Sequence, residues 1–349
     1  MKNIIELIKA IKILGFSHLL RISKAKKLGD EILPGFFITR AMNVLLNVGF
    51  FDEVSKRLTI DIDSFAKEKN FDERLLHLLC DYLYVYKILK KDRAKYRLTS
   101  KGKIVVEMLT GVFDILYSFE DIFHNLEALV KKEKILGQEV NKFFYFESKG
   151  TGTAAKQLIF PMIIDIIKKH NFKKVLDIGC GSGTFLIELC KKNPGIMSYG
   201  LDISQEAIIY GQHQLIENNL QGKITLLKGD ILNILEIKDS DLKTVEAIIA
   251  TFVLHELFFE NKEKIINFLI TLRQKFGNKP LLVCENIKQT LEELRKMPQF
   301  YSELQLAHGI ACERQLTRRE WKEIFNKSGF RNIKERYLAF AKISIFMVS

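Results

Sequence analysis

The chain has 349 residues, 47% of them hydrophobic, a formal charge of +12 and five cysteines. It exceeds the usual size of one domain and is apolar enough for a sizeable core, so a disordered chain is excluded and two domains are expected. The positive charge comes from lysines spread along the sequence, as on a solvated surface. Cys80, Cys180, Cys190, Cys284 and Cys312 are odd in number and lack C-x-x-C spacing, which implies a reducing, cytoplasmic setting.

Ile4, Ile5, Ile8, Ile11 and Leu14 are interrupted by Lys9 and Lys12, which predicts an amphipathic helix packed on protein, neither a signal peptide nor a membrane span. Phe36 to Val48, Ile62 to Lys67 and Glu73 to Val85 follow at helical spacing, and Tyr84 to Thr99 closes with two short strands, the order of a winged helix. A winged helix can bind DNA, and Lys87, Lys90, Lys91, Arg93, Lys95, Arg97, Lys101 and Lys103 would suit phosphates. The helix that would read bases instead carries Asp72, Glu73, Asp81 and an apolar stripe from Leu75 to Leu83, a packing face, so no nucleic-acid partner is expected. Thr110 to Lys149 reads as helical with a solvated Lys131 to Lys134 face, and Gly150 to Thr153 as a loop before a helix at Phe160 to Lys169. The aromatic run Phe143 to Phe146 suits either the roof of a ligand pocket or interdomain core.

The stretch Val175 to Phe185 joins a buried strand to a glycine-rich turn that opens a helix. Gly179, Gly181 and Gly183 fall where the backbone turns beside a ligand. A dinucleotide site would place its third glycine at position 184, where Thr184 stands, and a pyrophosphate would be repelled by Asp177. A cationic ligand is favoured by the same carboxylate. Met197 to Ile203 is a second strand ending in Asp202, placed to accept from ribose hydroxyls, and Lys223 to Lys228 is a third, followed by Gly229, Asp230 and Ile231. Val245 to Thr251 is a buried parallel strand whose carboxyl end opens into Phe252, Val253, Leu254, His255 and Glu256, and Pro280 to Cys284 is another that ends in Glu285. A capping box at Thr317 to Glu320, a helix from Trp321 to Lys327 and a hairpin from Arg331 to Val348 complete the chain.

The acidic strand end with G-x-G-x-G, followed in order by Asp202 and Asp230, resembles the S-adenosylmethionine site of class I methyltransferases. Thr39 to Asp52, Leu75 to Leu79 and Tyr96 to Thr99 resemble the dimerisation domain of O-methyltransferases of the plant caffeate and bacterial polyketide type. The resemblance implies an α/β Rossmann-like class I methyltransferase domain over 161–349, behind a mostly α winged-helix dimerisation domain over 1–108 and a helical connector over 109–160 that contributes to the acceptor pocket. It implies a homodimer, a small-molecule acceptor, and S-adenosylmethionine held by Asp177, Gly179, Gly181, Gly183, Asp202, Ile203, Asp230, Ile231 and Phe252. That family has His-Asp-Trp where this chain has His255-Glu256-Leu257, with the histidine as general base. Glu285 and Glu313 match its orienting carboxylates. His308 paired with His255 is also similar to the C-methyltransferases of 2-oxo acids, in which two histidines hold a non-haem iron that polarises the acceptor. Oxygen is the expected acceptor atom, with metal-assisted carbon methylation as the alternative and a winged-helix DNA-binding regulator that senses S-adenosylmethionine as a remote one.

Overall fold

In the computed structural model, described over residues 2–237, 241–258, 262–296 and 300–349, the chain divides into two units, 1–113 and 114–349. The first begins with α1 (Lys2–Leu14) and the long α2 (Phe16–Asn47), which runs through Pro34. Then come α3 (Phe50–Arg57), β1 (Ile60–Asp61), α4 (Ile62–Lys69), α5 (Glu73–Val85), β2 (Leu89–Asp92) and β3 (Lys95–Leu98). The three strands form a small antiparallel sheet in the order β1-β3-β2. Asp61 and Asp72 start their helices by accepting from the backbone N–H of Ser64 (3.0 Å) and Leu75 (2.8 Å), the satisfaction that free helix N-termini require. Leu76, Cys80 and Leu83 pack with Met42, Leu45, Phe50 and Tyr96, whereas Leu75 and Leu78 of the same stripe are exposed. Among the described residues no single helix is long and apolar enough to cross a membrane.

The helix α6 (Ser100–Ser118) is followed by α7 (Glu120–His124), α8 (Leu126–Val130) and α9 (Phe144–Lys169). The segment expected to be helical from Thr110 to Lys149 is therefore broken, with residues 131–143 outside any helix. Gly150 to Thr153, expected as a loop, lie inside α9. Two glycines weaken a helix by about 1 kcal/mol each, but tertiary packing outweighs that here. Gly150 is buried, and a Cβ added at Gly152 would make an ordinary 3.6 Å contact with the Thr184 side chain. The Thr153 hydroxyl donates back to the Lys149 carbonyl at 2.8 Å.

The second unit is built on a seven-stranded sheet. Its strands are β4 (Lys174–Ile178), β5 (Met197–Asp202), β6 (Ile224–Lys228), β7 (Ala247–Thr251), β8 (Leu281–Asn286), β9 (Ile333–Leu338) and β10 (Ile343–Val348). The order is β6-β5-β4-β7-β8-β10-β9, with β4 to β8 parallel and β10 antiparallel to both of its neighbours. Chain direction across the sheet reverses between β4 and β7, the crevice where ligands of open parallel sheets bind. Helices α10 (Thr184–Lys192) and α11 (Gln205–Glu217) pack with α9 on one face, as Ile163, Leu186 and Leu215 show. On the other face lie α12 (Lys262–Phe276) and, after α13 (Leu291–Lys296) and α14 (Phe300–Ile310), α15 (Arg318–Lys327). Burial on both faces explains why these strands read as continuous apolar runs. The capping box forms as expected: the Thr317 hydroxyl accepts from Glu320 N, and Glu320 Oε2 accepts from Thr317 N at 2.9 Å.

Candidate active site

The loop after β4 carries three glycines with φ of 69°, 54° and 73° at positions 179, 181 and 183. A Cβ at Gly179 would run into Val253 from the loop after β7, and one at Gly181 would lie 2.5 Å from Ser148 Oγ on α9. The turn thus lies between the loop after β7 and helix α9, and its left-handed backbone favours glycine at all three positions. Asp202 fixes the turn from β5: its Oδ2 accepts from Gly181 N at 2.7 Å and its Oδ1 from Ser204 N at 2.8 Å. Asp230 accepts from Leu232 N at 2.8 Å, beside the buried Ile231, while Ile203 is exposed.

Asp177 lies at the end of β4, 3% exposed, with Oδ1 lacking any hydrogen-bond partner. Burial first, and then the charge of Asp202, push its carboxyl well above the usual carboxylate range. An orphaned buried carboxylate oxygen is costly, and an ammonium group is the partner that would relieve it. These residues fit S-adenosylmethionine, which offers an α-ammonium group for Asp177 and a ribose for Asp202.

On the far side of the crevice Phe252 adopts a left-handed φ of 55°, uncommon for a residue with a bulky side chain. The turn it makes brings the next residues onto Glu285 of β8. Glu285 Oε1 accepts from Leu254 N at 2.9 Å and His255 N at 3.3 Å, and Oε2 faces His255 Nδ1 at 2.8 Å. Burial alone would pull the His255 imidazole down, but the charge and hydrogen bond of Glu285 hold it up at about 9. Glu256, the neighbouring acid, is exposed.

His308 on α14 lies with its ring centre 5.4 Å from that of His255. Its Nδ1 donates to the Leu304 carbonyl at 2.7 Å, which leaves Nε2 bare. Burial, followed by the charge of His255, lowers it to about 4, so the ring is neutral near pH 7. Cys312, with φ of 60°, turns the chain into the buried Glu313, whose Oε2 has no hydrogen-bond partner and lies 3.9 Å from His308 Nε2. One ligand atom each from His255, His308 and Glu313 lies within 4.8 Å of the others, a spacing that can hold a metal ion.

Two side chains here were not singled out in the sequence. Lys142, just before α9, is ion-paired to both Glu147 and Glu313. Phe119 packs against the His308 ring with 5.9 Å between centres. The expected aromatic run contributes unevenly: Phe146 packs on Tyr117, whereas Phe144 and Tyr145 are exposed.

Residues 169–329 match a family model described as a methyltransferase domain. An uncharacterised protein of Haemophilus influenzae is 29% identical over 165 residues, which are 46% of this chain and 59% of its own length. O-methyltransferase 12 of Dictyostelium discoideum is 25% identical over 174 residues, 50% of this chain and 43% of its own. The chain spans about half the length of these curated relatives. Human N-acetylserotonin methyltransferase, solved in complex with S-adenosylmethionine, shares the fold with a TM-score of 0.68 at 17% identity, over 93% of this chain and 97% of its own. The glycine turn, its acidic anchors and the sheet order agree with that match, and residues 169–329 are similar to the methyltransferase-domain family.

Proposed function

We propose that the protein transfers the methyl group of S-adenosylmethionine to an oxygen of a small-molecule acceptor, a phenol or enol, with His255 as general base. The observation that carries this reading is the buried His255–Glu285 pair at the carboxyl edge of the sheet, beside the glycine turn. When bound, S-adenosylmethionine supplies an electrophilic methyl group on its sulfonium. Glu285 fixes the ring orientation, leaves Nε2 to face the acceptor and stabilises the imidazolium that forms. His255, held up at about 9, takes the proton only in its neutral form, so turnover should rise as pH approaches that value. As the acceptor O–H bond breaks toward the neutral Nε2, the new O–C bond forms and the C–S bond breaks with its electrons on sulfur. Burial of His255 keeps water from competing for the methyl group. The proposal includes a homodimer through the first unit, where Phe16, Leu20, Leu33, Phe36 and Phe37 of α2 are exposed, and a cytoplasmic setting, in line with five free thiols.

A second reading is favoured by the His255, His308 and Glu313 cluster. A buried neutral imidazole with Nδ1 already bonded, next to an orphaned carboxylate oxygen, is a donor set that fits a divalent cation such as non-haem iron. A cation there would supply Lewis acidity to a 2-oxo acid acceptor, whose adjacent carbon would then take the methyl group. Elemental analysis of the purified protein, followed by turnover with labelled S-adenosylmethionine against phenols and 2-oxo acids, separates the two. The oxygen reading expects no metal, label on oxygen and indifference to chelators. Near one iron per chain, with chelator-sensitive label on the carbon beside the oxo group, would replace the first reading by the second.

A further inference from the structure

We infer that Lys142 is a positioning residue that sets the orientation of Glu313 in the acceptor site, an inference that rests on the reading of His255, His308 and Glu313 as that site. Lys142 Nζ pairs with Oε1 of both Glu147 and Glu313. All three side chains are withdrawn from water, with exposures of 7% for Lys142, 13% for Glu147 and 9% for Glu313. An apolar trio of the same volume would stabilise the fold as well or better, so stability does not account for the arrangement.

Its geometry is asymmetric at Glu313. One oxygen is held by Lys142, and the other, Oε2, is left without a hydrogen bond on the His308 side. Lys142 is itself backed by the Phe119 ring, 5.4 Å from its centre, and Phe119 also packs on His308. The ammonium that holds Glu313 and the His308 ring thus rest on the same Phe119 side chain. Without the Lys142 ammonium, Glu147 and Glu313 would face each other as like charges in a buried space, and Glu313 would lose the contact that holds its Oε1. Glu147 completes the charge balance of Lys142 but does not touch Glu313 through any hydrogen bond, which makes it an internal control.

The test measures methyl transfer to the best acceptor from the phenol and 2-oxo acid screen, together with S-adenosylmethionine affinity by calorimetry. Lys142→Ala should lower kcat by about 10- to 100-fold, the scale of a misplaced catalytic group, with cofactor affinity within about twofold of the parent. Added propylammonium should restore turnover in proportion to its concentration, an effect that a packing defect would not show. Glu147→Gln, which keeps the Lys142–Glu313 pair, should stay within about threefold of the parent. Lys142→Ala should add nothing to Glu313→Gln, and propylammonium should not rescue the double variant. An unchanged kcat in Lys142→Ala, an equal loss in Glu147→Gln, or a double variant clearly worse than Glu313→Gln alone would overturn the inference. A parent protein that binds cofactor but methylates neither acceptor class would overturn the underlying reading before any variant is compared.

Discussion

Asp177 and Glu285 are both carboxylates buried at strand ends, yet their surroundings act in opposite ways. Asp177 keeps an oxygen unpartnered and is held well above the usual carboxylate range, so the folded unliganded protein binds that proton more tightly than the unfolded chain does. Stability therefore falls as pH rises from the ordinary carboxylate range through the raised value. A cationic ligand needs the ionised form, so affinity for S-adenosylmethionine should rise with pH across the same window and then level off. Asp177→Asn should weaken binding by about 1 to 3 kcal/mol and flatten that slope, as read by calorimetry at several pH values. A parent affinity independent of pH would place the ammonium elsewhere. For Glu285→Gln the expected outcome is a kcat loss of about 10²- to 10⁴-fold with cofactor affinity preserved, because the ring loses its orienting partner and the charge that supports the imidazolium. Both residues were legible in the sequence, since chain order fixes what stands at the carboxyl end of a parallel strand. Lys142 was not, because its partner Glu313 lies 171 residues away and no local pattern links them.

At the scale of elements, the buried parallel strands were legible to within about two residues, because burial on both faces writes a continuous apolar run. Gly150 to Thr153 lie inside α9 instead of a loop because the helix is set by its packing on the sheet, through Ala155, Ile159 and Ile163, which the glycines in the local sequence do not reveal. The glycine turn is the element most sensitive to bulk. Gly181→Val combines a left-handed φ with a collision at Ser148 Oγ, and should abolish cofactor binding in calorimetry while leaving the far-ultraviolet dichroism largely intact. The capping box gives the converse case. Thr317→Ala should lower stability by about 1 kcal/mol in denaturant titration without changing cofactor affinity, since α15 packs through Trp321 and Phe325 on the face away from the glycine turn. Loss of cofactor binding in that variant would mean that the helix start supports the site directly.

For the whole molecule, the exposed apolar residues of α2 are the surface through which the proposed homodimer would form. Light scattering at micromolar concentration should give twice the chain mass of 40.4 kDa, and a monomer would overturn the homodimer. The placement of β10 carries a consequence of a different sort, for the birth of the protein on the ribosome. This strand lies between β8 and β9, with Ser344 opposite Glu285, although 56 residues of chain separate the end of β8 at Asn286 from its start at Ile343. At about 5 to 20 residues per second, translation needs roughly 3 to 11 s to cover that interval. During it β8 is an open sheet edge, a template for adventitious strand pairing. The same interval leaves the strand that carries Glu285 without its outer neighbour until β10 pairs with it.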